Sequence, residues 1–240
     1  MSQAVVVSPS SLPRELREKV FICIAAFHEG AVIDEVVRKV VAVYPNVVVV
    51  DDGSADNTYQ EARKNAPHVL RHVVNRGQGA SLQTAISYAL RQGAEYIVTF
   101  DADGQHRIED VEKLILPIQA GEADVCYGSR FLGETINMPT SKRWVLKGGI
   151  LFSRLVHRVK VSDAHNGLRC LSRTSAKRMD ITMDGMAHAS EFISFVRRLK
   201  LRMKEIPVQI RYTEHSLAKG QKAINAVKIV ADYFFGRILH

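Results

Sequence analysis

A chain of 240 residues and 26.8 kDa is long enough to bury one full-sized core, and a single α/β domain is the default reading. With 46% hydrophobic and 24% charged residues it has the make-up of an ordinary soluble globular protein, and no apolar run is long enough to span a bilayer. The net charge of +8 asks for an anionic partner without choosing among nucleic acid, an anionic membrane and a phosphate-bearing substrate.

Residues 1–19 read as an N-terminal extension without the basic start and long apolar core of a signal peptide. The first core strand is Val20 to Ala26, broken by Phe27-His28-Glu29-Gly30. Apolar positions at helical spacing follow from Val32 to Val41. A second strand, Asn46 to Val50, closes in Asp51-Asp52-Gly53-Ser54, and a short helix is predicted to start near Asp56-Asn57-Thr58. A strand over Val69 to Val74 leads through Asn75-Arg76-Gly77-Gln78-Gly79 into a helix from about Ala80 to Arg91. The apolar run Ala94 to Val98 ends in Thr99-Phe100-Asp101-Ala102-Asp103-Gly104-Gln105-His106. Strand, polar loop and helix alternate in this way to about residue 120, the pattern of a mostly parallel sheet with helices on both faces.

The second half is less regular. Asp124 to Arg130 reads as a strand and turn, Trp144 to Val161 as a basic, apolar helical stretch, and Asp163 to Arg173 as turn-like. Ser190 to Leu201 reads as a helix, Glu205 to Tyr212 as a half-buried strand, Glu214 to Gln221 as a loop, and Lys222 to His240 as an amphipathic C-terminal helix. Cys23, Cys126 and Cys170 are far apart, odd in number and without metal-ligand spacing, as expected of reduced thiols in a cytosolic protein.

In open α/β sheets ligands bind beyond the carboxyl ends of the strands, where three polar clusters fall together. Asp101 and Asp103 repel unless a cation lies between them, and hard oxygen ligands suit Mg²⁺ or Mn²⁺, with Gln105 as a third oxygen. The alternative is a solvated turn; the apolar strand before the pair and the two neighbouring clusters favour a metal. Asp51-Asp52-Gly53-Ser54 offers acceptors to a nucleobase or ribose, or forms a turn. The glycines at 77 and 79 either let a phosphate approach the helix N-terminus beside Arg76 or form a plain strand–helix connection.

Taken in order, Ala26-Phe27-His28-Glu29, Asp51 to Thr58, Asn75 to Ala80, Asp101 to His106, Gly128-Ser129-Arg130-Phe131 and Asp163 to Arg169 resemble the inverting family 2 glycosyltransferases of GT-A fold. The likeness is to the group containing dolichol-phosphate mannosyltransferase and its bacterial polyprenyl-phosphate relatives, over roughly residues 20 to 215 in domain-sized extent. It implies a Rossmann-like, mixed but mostly parallel sheet flanked by helices, occupying residues 20–221, with the amphipathic helix at 222–240. It also implies a UDP- or GDP-linked sugar donor. Glu29 and Asp52 would contact base and ribose, with Ala26, Phe27, Gly53, Arg76, Gly79 and Ala102 lining the same site. Asp101, Asp103 and Gln105 would hold Mg²⁺ or Mn²⁺ on the donor diphosphate. Arg130 and Arg169 would meet phosphate oxygens or form ion pairs, and Arg211 and Lys219 would lie on a basic loop over donor or acceptor. This chain has Ala26 where the family usually has proline, Phe27-His28 where it often has Tyr-Asn, and Arg107 where proline commonly follows the histidine.

Glu191 stands where many family members carry a catalytic carboxylate, and a hydroxyl acceptor needs a general base. The expected acceptor is therefore a hydroxyl of a lipid-linked glycan in cell-surface polysaccharide synthesis; the alternative is a polyprenyl phosphate, which needs no base. The basic C-terminal helix and the stretch after Trp144 lean towards peripheral attachment at the cytoplasmic face of the inner membrane. Other classes fit less well. A nucleotidyltransferase would carry a glycine-rich, arginine-bearing loop after the first strand, and a D-x-D phosphatase would place its pair there. A nucleic-acid binder would not present an acidic rim, and a non-catalytic carbohydrate-binding relative would have lost the metal pair.

Overall fold

β-Branched and aromatic residues dominate the apolar runs, and alternate side chains pack to opposite faces of a pleated sheet. The computed structural model describes residues 10–140, 143–144, 146–148, 150, 159–185 and 187–213. Lys219 and the helix expected at 222–240 lie outside the described residues.

A short helix α1 (Arg14–Arg17) precedes β1 (Val20–Ala26), α2 (Ile33–Val41), β2 (Asn46–Asp51), α3 (Thr58–Arg63), β3 (His68–Arg71), α4 (Gln78–Arg91), β4 (Tyr96–Asp101) and α5 (Glu109–Gln119). The chain continues through β5 (Val125–Ile136), β6 (Arg169–Ser172), α6 (Arg173–Ala176), α7 (His188–Arg198) and β7 (Met203–Arg211). Among the described residues the strands form one sheet of seven in the order β3-β2-β1-β4-β6-β5-β7. β1 to β4 are parallel, β6 runs antiparallel to both β4 and β5, and β7 is parallel to β5. All strands except β6 thus deliver their carboxyl ends to one rim.

Ile22, Ile24, Val47, Val49, Val98 and Phe100 face α2 and α5 on one side. Phe21, Cys23, Val48, Val50 and Ile97 meet the buried residues of α4 and α7 on the other. Before β1, Leu12 is buried against the first of these cores, and Ser10 and Ser11 hydrogen-bond Glu112 on α5.

Three expectations need correction. The third strand stops at Arg71, and Val73 and Val74, read as its end, are 100% and 63% exposed. Asp163 to Arg173 is not wholly turn-like, because Arg169–Ser172 inserts as β6 between β4 and β5. α4 begins at Gln78, immediately after Gly77 adopts φ 105°, a left-handed conformation open to glycine at little cost.

Candidate active site

β4 ends at Asp101, so the turn through Gly104 (φ 73°), rather than the strand pleat, brings Asp103 beside it. Gly167 packs directly against the Asp101 carboxylate, and a Cβ there would overlap both oxygens. Oδ2 of Asp101 accepts from His106 Nε2 at 2.8 Å and Oδ1 from Gln78 Nε2 at 3.3 Å. Burial pushes the Asp101 pKa up, but the hydrogen bond and charge of His106, with Arg169 and Arg130, outweigh it and hold it below the usual carboxylate value. Asp103 goes the other way: burial, then the Asp101 charge, push it up to about 6. One Asp103 oxygen accepts the Gln105 N–H at 3.1 Å. Arg211 donates its N–H to the Gln105 carbonyl, and Ile210 bridges to His106, so the end of β7 closes this turn.

The loop after β1 is fastened to the loop after β2. Ser54 Oγ accepts the His28 N–H at 2.9 Å, Thr58 Oγ1 that of Glu29 at 2.8 Å, and Asp56 Oδ2 that of Gly30 at 3.2 Å. The serine, aspartate and threonine of Asp51 to Thr58 are thus struts for residues 28–30. Phe27, 41% exposed, stacks on the His28 ring, while Glu29 is buried. Ala26 and Ala102 put their methyl groups in the apolar core, so only their backbone is left to face a donor. Gly53 has φ 72°, and a Cβ there would strike the backbone of Val74 and Asn75.

Asp52 is 2% exposed. It accepts from the N–H of Arg76 at 3.1 Å and of Gly77 at 2.6 Å, and from His72 Nδ1 at 2.7 Å. Its first role is therefore to shape the 75–77 loop. His72 links it onward to Thr84 Oγ1 on α4 at 3.0 Å.

The α4 N-terminus is occupied from within. The Gly79 and Ala80 N–H groups donate to the Asp184 carbonyl at 2.7 and 3.3 Å, and Arg76 lies 3.5 Å from the Asp184 carboxylate. A Cβ at Gly77 or Gly79 would strike the backbone of Asp184 or Met183. The close approach these glycines permit here is that of residues 183–184. Glu191 holds the same strap. Its carboxylate, on a residue 7% exposed, accepts from Thr182 Oγ1 at 2.7 Å, Thr182 N at 3.1 Å and Met183 N at 3.0 Å.

Arg130, buried, takes the ion-pair alternative. It donates to Asp163 through Nε at 2.6 Å, to the Tyr212 hydroxyl through Nη1 at 2.7 Å and to the His165 carbonyl through Nη2 at 3.2 Å. Arg169 lies over the Phe192 ring at 4.6 Å and the Tyr127 ring at 5.7 Å, a cation–π arrangement. Its Nη1 is buried without a hydrogen bond.

Among the described residues no three His, Cys, Asp or Glu side chains converge as a metal cluster. The residues present nevertheless fit a divalent cation. The two carboxylates lie side by side with one forced towards protonation, the condition a cation relieves. Mg²⁺ is commonly held by one or two carboxylates plus substrate phosphates and water. Each Asp101 oxygen accepts one hydrogen bond and keeps a second lone pair, so Asp101, Asp103 and Gln105 are the residues that would hold the ion.

Sequence reasoning assigns no role to His106, though it stands within the Asp101 motif, and none to His72, Asp163 or Asp184. The partners of the last three lie in other loops, 33 residues away for Asp163 and more than 100 for Asp184.

The model of glycosyl transferase family 2 matches residues 21–179. The UDP-N-acetylglucosamine–dolichyl-phosphate N-acetylglucosaminyltransferase of Methanococcus voltae is 31% identical over 232 residues, covering 88% of this chain and 92% of the relative. The polyprenol monophosphomannose synthase of Mycolicibacterium smegmatis is 28% identical, covering 83% of this chain and 79% of the relative. The glucosyl-3-phosphoglycerate synthase of Mycobacterium tuberculosis, solved with Mn²⁺, UDP-glucose and phosphoglyceric acid, superposes with TM-score 0.69 at 16% identity, over 96% of this chain and 88% of that one. That last likeness confirms the GT-A sheet and its flanking helices. The chain belongs to glycosyl transferase family 2, in its polyprenyl-phosphate glycosyltransferase-like group.

Proposed function

We propose that the protein moves a sugar, with inversion, from a UDP- or GDP-linked donor to the phosphate of a polyprenyl phosphate. The observation that carries this reading is the engagement of Glu191. A general base must reach the proton it removes, and this carboxylate is committed to Thr182 and Met183. A prenyl phosphate is already an anionic nucleophile at neutral pH, its second pKa lying near 6. The order of preference drawn from the sequence is thereby reversed, from a hydroxyl of a lipid-linked glycan to the phosphate. The names of the relatives from M. voltae and M. smegmatis agree with this acceptor class.

In the proposed reaction an acceptor phosphate oxygen forms a bond to the anomeric carbon from the face opposite the nucleotide. The bond from that carbon to the β-phosphate oxygen breaks, and its electron pair stays on the released nucleoside diphosphate. A divalent cation, when bound, would offset the charge that builds on the leaving diphosphate. Asp103, with Asp101 and Gln105, would hold it, and His106 keeps Asp101 ionised. Phe27 and Glu29, beside the Asp52-shaped loop, would meet the nucleoside.

The test is a screen of UDP- and GDP-sugars with Mn²⁺ or Mg²⁺ against polyprenyl phosphate and, separately, a lipid-linked glycan. Transfer to the phosphate, abolished in Asp103→Ala, is expected. Transfer only to the glycan hydroxyl overturns the acceptor assignment, and no turnover or binding of any nucleotide-sugar overturns the reaction.

A further inference from the structure

His28 lies between Phe27 and Glu29, the two residues that would meet the nucleoside, and its backbone is unusual. Its φ is 54°, in the left-handed region that a residue with a Cβ enters at a cost. Such a conformation persists where surrounding contacts over-determine it. Three contacts do so here. The His28 N–H donates to Ser54 Oγ at 2.9 Å, Nε2 accepts the Ala55 N–H at 3.2 Å, and the ring stacks on that of Phe27 with centroids 4.0 Å apart and planes 25° from parallel.

The Ala55 contact fixes the state of the ring. A backbone N–H only donates, so Nε2 presents its lone pair and the ring proton sits on Nδ1. The imidazole in this arrangement is neutral. It is also close to the chemistry. Ala25 pairs with Asp101 across β1 and β4, so the loop that follows leaves the sheet beside the carboxylate pair. Glu29, after burial and Asp101, is among the causes that raise Asp103. The exposed Phe27 ring, backed by the imidazole, is held in one orientation as a platform for a planar base.

Protonation reverses the Ala55 contact. An imidazolium carries an N–H on both nitrogens, so its Nε2–H would oppose the Ala55 N–H. The carboxylate that faces the ring from the loop after β2 is Asp56. Burial raises the Asp56 pKa, but hydrogen bonds from Thr58 and Gly30 and the charge of His28 hold it below the usual carboxylate value. Two adjacent residues thus favour opposite states of one ring: the Ala55 amide the neutral state, the Asp56 carboxylate the charged one. On the ring's own loop the charged group is Glu29, buried, with its N–H held by Thr58 Oγ1. Arg71, which reaches the same loops from β3, is tied to Asp51 and to the Ser54 carbonyl.

We propose that His28 is a positioning residue for the donor: neutral, it fastens the loop after β1 to Ala55 and backs the Phe27 ring; protonated, it releases Ala55 and the donor binds more weakly. The inference rests on the nucleotide-sugar reading above and adds to it a residue that sets donor affinity without touching the reacting atoms.

The full chain is titrated calorimetrically with UDP and with GDP, each with Mn²⁺, at about pH 8 and about pH 5.5, on either side of the range in which histidine side chains titrate. Asp103 and the nucleotide's own phosphate also change charge over this interval. They do so alike in every form of the protein, so the ratio of the two dissociation constants is compared between forms. His28→Gln places a carbonyl at about the reach of Nε2 and cannot be protonated. His28→Asn keeps a residue at ease with a left-handed backbone, but its carbonyl stops short of Ala55. The wild-type ratio should exceed that of His28→Gln by about three- to tenfold, the worth of one hydrogen bond. At about pH 8 His28→Gln should bind within about threefold of wild type and His28→Asn about three- to tenfold more weakly. In turnover at that pH the His28→Asn defect should appear in the donor KM and not in kcat.

Equal ratios in wild type and His28→Gln overturn the proposal. So does wild-type binding by His28→Asn, which would leave the residue its backbone conformation alone, and so does a fall in kcat in place of the rise in KM. If no form binds either nucleotide, the donor reading fails and this inference falls with it; binding by every form with equal ratios fails the inference alone.

Discussion

Replacing Glu191 by glutamine separates a strap-holding role from a base. The carboxylate has three donors, Thr182 N, Thr182 Oγ1 and Met183 N, at 2.7 to 3.1 Å. A glutamine carbonyl can keep the two Thr182 donors, but its NH₂ then faces the Met183 N–H, leaving that group buried and unpaired. The cost of such a group is about 1–3 kcal/mol. For a domain of this size each kcal/mol lowers Tm by about 2–4 °C, so the melt should fall by roughly 2–12 °C. The two Thr182 donors that are kept still hold the strap on Gly79 and Ala80 of α4, so kcat should fall less than tenfold. Loss of a general base would instead cost about 10²–10⁴ in rate. Thermal melts and saturating kcat measurements on the same preparation give the answer. An unchanged melt with a loss of a hundredfold or more in kcat would make Glu191 the general base and restore the hydroxyl acceptor.

Three further outcomes follow from the same geometry. Asp103, raised to about 6 in the fold, is protonated more readily folded than unfolded. Metal-free stability is therefore full below about pH 4 and falls as pH rises through 6, by about 2 kcal/mol after allowance for its partial exposure. Mn²⁺ should accordingly raise Tm little at pH 5 and fully above pH 7, and an equal rise at both would contradict this origin. His188, lowered to about 4 by burial first and then by Arg169, is neutral in the fold. Its contribution is present above pH 6.5 and lost as pH falls towards 4, by about 3 kcal/mol; urea midpoints of His188→Gln should lack much of that acid dependence. Gly79→Ala places a methyl group against the Met183 carbonyl and should cost about 1–3 kcal/mol in a urea melt, whereas Gly93→Ala, with open space around it but φ 93°, reports backbone strain alone.

Much of the sheet was legible because its strands are continuous apolar runs closed by polar residues. Val20 to Ala26 and Asn46 to Val50 needed only that pattern. The same criterion overran at Val73 and Val74, since apolar composition cannot distinguish a buried strand end from an exposed loop. The polar burst at Asp101 to His106 was legible as a site because three such bursts fall at strand ends. What each residue does there was less so. Gly77 and Gly79 announced a close backbone approach, but only the fold brings Met183 and Asp184 to them. Arg130 carried two readings until Asp163 and Tyr212 surrounded it. Glu191 looked like a free acid on a helix because its partners, Thr182 and Met183, precede the helix and show no pattern of their own.

The nature of the acceptor decides which bond the enzyme makes. The most direct measurement is the bond made in a single-turnover reaction with a labelled nucleotide-sugar, Mn²⁺ and polyprenyl phosphate, read by mass spectrometry and by the anomeric configuration of the product. The prediction is a prenyl-phospho-sugar of inverted configuration, formed by the wild type and absent with Asp103→Ala. A retained configuration, or a sugar attached only to a hydroxyl of a lipid-linked glycan, would contradict it.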